Sequence, residues 1–207
     1  MGDSGVRPPA LIESILGEFL ADRPHLVLLT SEEGDLFGEG KSSGAILSEE
    51  DEALYRYMLW RAWDSNLPVL LVIMLNPSTA DHDIDDRTIE TLLTRARMTG
   101  HGSILVVNLF AWRATSPTDM KKVEDPIGKD NDAAIEAVLN AEQGTLLCAW
   151  GTHGTHLKRS EEVLCRIVQK GRNPVALKIS KDGEPEHPLY KKLENGWFPF
   201  RPSGSTN

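Results

Sequence analysis

Only two cysteines, Cys148 and Cys165, occur in 207 residues, too few for a disulfide framework. Cys148 sits in an apolar run, where a thiol serves as a small core group. No apolar run approaches the roughly 18 residues needed to cross a bilayer, and the N-terminus MGDSGVRPPA lacks the apolar centre of a signal peptide. A cytoplasmic protein without membrane contact is therefore expected. Met1-Gly2 with Ser4 misses the myristoylation pattern. Gly40-Lys41-Ser42 is not a P-loop, because Asp35 stands where the first glycine belongs. An EF-hand starting at Asp81 is excluded, since Asp86 and Leu92 occupy the places of its glycine and glutamate. No Ser-His-Asp or Cys-His order stands out. Basic excess is absent too: the net charge is −9, with −8 in residues 1–66 and −1 in the remainder. Uniform affinity for a phosphate backbone is not advertised.

What the chain does have is centred on Pro68–Asp86. PVLLVIML is a continuous run of Val, Ile and Leu without alternation, as in a strand covered on both faces. It stops at Asn76-Pro77, because proline donates no ladder hydrogen bond and biases its predecessor toward extended backbone. A dense polar cluster follows: Asn76, Ser78, Thr79, Asp81, His82, Asp83, Asp85 and Asp86. In open α/β sheets ligands bind just beyond the carboxyl ends of strands.

Upstream, Leu11, Ile12, Ile15, Leu16, Phe19 and Leu20 fall at helical spacing after Pro8-Pro9. His25–Thr30 reads as a short strand, Ser31–Ser48 as a long Gly/Ser/Glu-rich loop or irregular hairpin, and Leu54–Trp63 as an aromatic-rich strand. From Pro68 the order is regular. Strand 68–75 is followed by a helix over 86–99, strand 103–108, a helix from near Pro126 to Gly144, strand 145–150, a helix over 155–170 and a last strand 174–179. Short crossovers of this kind predict a three-layer α/β sandwich whose central sheet is mainly parallel, with about four to five strands. Three parts are expected: residues 1–50 as an N-terminal helix and loop extension, 51–200 as the α/β domain, and 201–207 as a disordered tail.

Each predicted strand ends in a polar or small motif: Asn76-Pro77-Ser78, Asn108-Leu109-Phe110, Trp150-Gly151-Thr152-His153-Gly154, and a loop leading to His187-Pro188-Leu189-Tyr190. A parallel sheet would bring these ends to one edge, forming a crevice lined with asparagine and histidine. Structural roles fit several of them equally. Asn76 before proline suits an Asx-type turn cap. Asn108 suits a strand-end backbone bond, and Asp85-Asp86 suits the N-cap of the following helix. For His187, neighbouring Glu184 and Glu186 would raise the pKa.

The segments LNPSTAD (Leu75–Asp81), DDRTI (Asp85–Ile89), VNLFAWRAT (Val107–Thr115), DPIGKDND (Asp125–Asp132), AWGTHG (Ala149–Gly154) and HPLY (His187–Tyr190) resemble a family of small bacterial and phage proteins known as a domain of unknown function. More distantly, their order is similar to that of the uracil-DNA glycosylase superfamily. That second resemblance implies a glycosylase-like fold and hydrolysis of an N-glycosidic bond to uracil or another modified base, with no cofactor and no metal. Asn76 would hold the attacking water and His187 would donate to the departing base. Asn108 would read a Watson–Crick edge, Phe110 or Trp112 would stack on the base, and Arg113 would hold a phosphate. Pro77, Ser78, Asp81, Asp86, Gly151, His153 and Tyr190 complete the expected binding residues. The chain departs from the pattern at Ser78, where glycine is expected, and at Asp81, Asp83, Asp85 and Asp86, which replace apolar and aromatic residues. Those carboxylates would repel phosphate unless paired with Arg87, Arg113 or a cation. The expected partner is DNA or a nucleotide carrying a modified base. Two alternatives stand beside this: a non-catalytic nucleotide- or modified-DNA-binding module, and an interaction domain docking through the acidic helix at residues 9–22.

Overall fold

A computed structural model describes residues 8–33, 41–49, 54–78, 80–190 and 196–201. Five helices and eight strands are found among them, the strands in one sheet: β1 (Leu26–Glu33), β2 (Lys41–Ser48), β3 (Arg56–Ala62), β4 (Val69–Met74), β5 (Ser103–Asn108), β6 (Thr145–Cys148), β7 (Val175–Ala176) and β8 (Phe198–Pro199). Their spatial order is β1-β2-β3-β5-β4-β6-β7-β8. The helices are α1 (Ala10–Leu20), α2 (Arg87–Met98), α3 (Pro117–Met120), α4 (Asn131–Asn140) and α5 (Arg159–Gln169).

The protein is α/β, but the expected mainly parallel, glycosylase-like sheet of four to five strands is overturned. The sheet is mixed: β5, β4, β6 and β7 are parallel to their neighbours within that group. By contrast, β1–β2, β2–β3, β3–β5 and β7–β8 pair antiparallel. The physical reason lies in KSSGAILS. Its small and polar residues resemble a loop, yet all but Lys41 and Ser43 are buried in β2. Gly44 is needed there because a Cβ would sit 2.1 Å from the Trp60 ring on β3. A glycine inside a strand often marks such a close approach rather than a loop. Strand β3 is buried along its whole length, as its aromatic content predicts. At the other edge, only Val175–Ala176 of the predicted last strand joins the sheet, Ile179 making an isolated bridge to Pro185, and β8 has no strand-like run in the sequence.

Two cores flank the sheet. Apolar residues of α2 pack on one face with Leu70, Val72, Ile104 and Val106, while those of α1, α4 and α5 pack on the other with Leu71, Ile73, Leu105 and Val107. Alternate residues of β4 and β5 feed opposite cores, which is why their runs are apolar without alternation. The apolar face of α1 (Ile12, Ile15, Leu16, Phe19) is buried in the second core. Residues 1–50 thus contribute a helix and two strands to the sheet assembly. The expected tail falls outside the described residues from 202 onward.

The connection from β4 runs through α2 on one face, and that from β6 runs through α5 on the other. Ligand crevices open where neighbouring strands send their connections to opposite faces.

Candidate functional site

A cavity of about 690 Å³ lies at that point. Asn76, Ser78, Asp86, Asn108, Gly151, His153 and His187 all line it, together with Arg56, Thr115, Trp150, Ser180 and Glu186. Its size falls within the range of small-molecule pockets, about 300–1,000 Å³.

Asn76 follows β4, held by its own side chain. Its Nδ2 donates to the Pro77 carbonyl at 2.9 Å and to the Ala114 carbonyl at 2.8 Å. Both partners accept only, so this nitrogen is the amide NH₂ and Oδ1 is the acceptor that Asn76 offers. These bonds are not the expected Asx-type cap, in which the side-chain oxygen would accept from Ser78 N; Asn76 instead ties two carbonyls together and lies on the cavity wall.

Asn108 ends β5 and is 2% exposed. Its backbone carbonyl and that of Leu109 accept from Asn131 Nδ2 at 3.0 and 2.9 Å, and Arg159 Nε also donates to Leu109 O at 2.9 Å. The first residues of α4 and α5 thus pin this strand end. The Asn108 side chain has no such role, and its Nδ2 has no hydrogen-bond partner.

The loop carrying His187 is clamped to the end of β6. Buried Glu184 accepts from Trp150 Nε1 at 2.5 Å and from Ser160 Oγ at 3.0 Å, while Gly151 N donates to Pro185 O at 2.8 Å. Gly151 adopts φ +72°, and His187 Cβ would lie 3.6 Å from a Cβ placed on it. Burial lowers the His187 pKa to about 4, with Asp86 acting weakly the other way, so the ring is neutral at pH 7. The expected rise caused by Glu184 and Glu186 does not occur, because burial outweighs the nearby negative charge. Leu189 N makes a long 3.4 Å contact to His187 Nδ1, which puts the ring proton on Nε2.

The acidic loop is explained by arginines on β3. Arg61 Nε donates to Asp85 Oδ1 at 2.8 Å and Arg61 Nη2 to Asp81 O at 2.6 Å, while Arg56 Nη1 donates to Ala80 O. Asp81 and Asp83 flank His82 at 3.3 and 3.7 Å. Asp86 caps α2, accepting from Thr88 N and Ile89 N at 2.9 Å each. Among the described residues no group of three or more His, Cys, Asp or Glu side chains is arranged to hold a metal.

Other expected site residues lie elsewhere. Phe110 is fully buried in the core, 5.7 Å from the His156 ring, and does not line the cavity. Trp112 packs edge-on against Tyr55 at 5.2 Å. Arg113 and Asp81 are off the wall, and Pro77 supports it from behind through a carbonyl that also accepts from Ala114 N at 2.9 Å. His153 sits at the rim beside Lys121 Nζ at 3.2 Å; partial burial, then that ammonium, lowers its pKa. Tyr190 closes the 3-10 turn Pro188–Tyr190, and its side chain lies outside the described set. Among the lining residues that sequence reasoning missed, which include Thr115, Trp150, Ser180 and Glu186, the buried cation is Arg56. Its signal was a charge between two tyrosines in a strand otherwise fit for burial.

Fold and site together define an α/β protein with a strand-end cavity lined by asparagine and a neutral histidine. The chain belongs to the family described as "Protein of unknown function (DUF1643)", whose model matches residues 56–189 and so spans β3 through the His187 loop. No curated protein matches the chain.

Proposed function

We propose that the cavity binds a nucleobase and that the protein hydrolyses the N-glycosidic bond to uracil or another altered base, in DNA or in a nucleotide. The observation that carries this reading is that Asn76, Asn108 and His187, from three separate segments, line one cavity of suitable size. The distant similarity of LNPS, VNLFAWR and HPLY to uracil-DNA glycosylase motifs supports it.

In this mechanism Asn76 Oδ1 accepts a hydrogen bond from a water molecule and aims its oxygen at the anomeric carbon. The C1′–N bond breaks with its electron pair passing to the base, the water oxygen bonds to C1′, and its proton leaves to solvent. Neutral His187 donates through Nε2–H to a base carbonyl as negative charge builds there. One preorganised donor of this kind is typically worth roughly 3–4 kcal/mol of barrier. A neutral imidazole suits the task because it keeps its own proton while polarising the carbonyl. Asparagine is a weak activator of water, so turnover is slow.

The test is incubation of purified protein with oligonucleotides and nucleotides bearing uracil, hypoxanthine, hydroxymethyluracil and related bases. Free base should form, and Asn76→Ala should slow release by about 100-fold, as loss of one positioned group does. If no substrate releases its base and Asn76→Ala leaves ligand binding intact, the enzyme reading fails.

A further inference from the structure

Arg56 is 3% exposed, at the first position of β3, and it lines the cavity. Of the three other buried arginines, Arg95 also has an Nε without a hydrogen-bond partner among the described residues but is engaged through other contacts; the remaining two show what a carboxylate-paired guanidinium looks like in this protein. Arg159, 1% exposed, pairs with Asp132 and with Glu162 at 2.8 Å, and Arg61, 7% exposed, pairs with Asp85 at 2.8 Å. Among the described residues Arg56 has its Nη1 bond to the Ala80 carbonyl, and its Nε has no partner. Among the described residues no carboxylate forms an ion pair with it. Buried cations are ordinarily paired, because an isolated one forfeits its hydration. On the same cavity wall, the Nδ2 of Asn108 is a second buried donor without an acceptor.

Nearby carboxylates do not fill this gap. Asp86 acts on Arg56 through its field, but its Oδ1 is taken by the two α2 amides. Glu186 also lines the cavity. Opposing these are exposed Arg87 and the N-terminus of the 12-residue helix α2, which lie on the same wall. Burial and the neighbouring Arg113 charge lower the Arg56 pKa to about 10, which leaves it charged at pH 7.

We infer that Arg56 is an anion-binding residue: the cavity takes a ligand whose phosphate docks against its guanidinium, while Asn108 Nδ2 donates to a further acceptor on the same molecule. The nucleotide identity of that ligand rests on the nucleobase reading above; the need for an anion does not. The phosphate of a free nucleotide and that of a nucleic-acid strand share this chemistry. Arg113, which the sequence suggested for a phosphate, is off the cavity wall.

The experiment is calorimetric titration of the full chain with inorganic phosphate, a panel of nucleosides, their 5′-monophosphates and short oligonucleotides of the same bases. Wild type should bind a monophosphate or an oligonucleotide at least about 10-fold more tightly than the nucleoside, the size of one charge-assisted contact. Arg56→Gln should lower monophosphate affinity at least about 10-fold more than nucleoside affinity, erasing that advantage, and Arg56→Lys should keep part of it. The melting temperature of ligand-free Arg56→Gln should equal or exceed that of wild type, since an unpaired buried cation is removed. A drop of several degrees would make Arg56 a structural residue and overturn the inference. Should that variant not fold, wild-type salt dependence decides: monophosphate affinity must fall several-fold between about 50 and about 500 mM salt while nucleoside affinity holds. If nucleosides bind and phosphate adds nothing, this inference falls and the nucleobase reading survives. If phosphate binds through Arg56 and no base improves on it, the nucleobase reading falls instead.

Discussion

Trp150 donates its indole N–H to Glu184 across 2.5 Å, and this bond ties the end of β6 to the loop that delivers His187 to the cavity. Glu184 is 8% exposed and also accepts from Ser160 at 3.0 Å, so one carboxylate fastens a strand end, a helix start and a loop.

Replacing Glu184 with alanine therefore leaves two buried donors unsatisfied. The expected loss is about 2–6 kcal/mol, given about 1–3 kcal/mol for each such group. Chemical denaturation measures it. Glu184→Gln retains an acceptor and should lose less. In both variants, ligand binding at the His187 cavity should weaken more than the stability change alone accounts for.

His187 sets a pH signature. Its pKa is lowered by burial from 6.5 to about 4. Between these values the unfolded chain binds more protons than the folded one, so stability rises with pH across that window. The contribution is complete above about pH 6.5, falls away toward pH 4 and is flat below. Denaturation midpoints of wild type and His187→Asn, compared at pH 7 and pH 4.5, should converge at the lower pH. Base release by wild type should stay level from pH 7 to about 5 and drop as pH approaches 4.

Asp85 and Asp83 are two residues apart and should differ. Asp85 bonds Arg61, whose side chain is 9% exposed, whereas Asp83 is half-exposed beside His82. Asp85→Ala strands a buried cation and should cost about 2–3 kcal/mol, toward the lower side of the range for broken buried pairs because Asp85 itself is partly solvated. Asp83→Ala should change stability by less than about 0.5 kcal/mol. Thermal melts of the two variants check the contrast.

Gly44→Ala probes the antiparallel half of the sheet. A Cβ there meets the Trp60 ring at 2.1 Å and the Leu29 carbonyl at 2.5 Å, so β1, β2 and β3 must separate. A loss of about 1–3 kcal/mol or more is expected from overpacking. Gly17→Ala, with open space at its Cβ in α1, should instead stabilise by up to about 1 kcal/mol. Guanidinium titrations of both variants separate the two cases.

Gly151→Ala places a side chain at φ +72° beside His187. With ψ 179° this is a backbone region essentially reserved for glycine, and a side chain there costs on the order of 1–3 kcal/mol; the loop shift should raise the ligand Kd measurably by calorimetry.

Legibility in the sequence followed how local the controlling interaction was. The parallel strands and α2 were readable because an apolar run and an Asp-capped start are properties of neighbouring residues. The gathering of Asn76, Asn108, Gly151 and His187 at one edge followed from strand ends and connection lengths. Strand β2 reads from the sequence as either a loop or an irregular hairpin, and the β1–β2 antiparallel pair is the hairpin; Gly44 and three serines look like a loop until Trp60 is laid across them. Phe110 was misplaced for a similar reason. One residue beyond Leu109, whether a side chain faces cavity or core depends on how α4 and α5 hold the strand end, and Asn131 and Arg159 do that from afar.

The amino-acid order by itself settled that this is an α/β chain in which β4 ends just before Asn76-Pro77 and polar groups recur beyond successive strands, because period and proline act over a few residues. Which of those groups share a cavity, that β3 joins antiparallel, and that Arg56 has no ion-pair partner among the described residues while Arg61 and Arg159 are paired were decided only by tertiary packing. Burial, pairing and charge compensation depend on residues that meet through the fold.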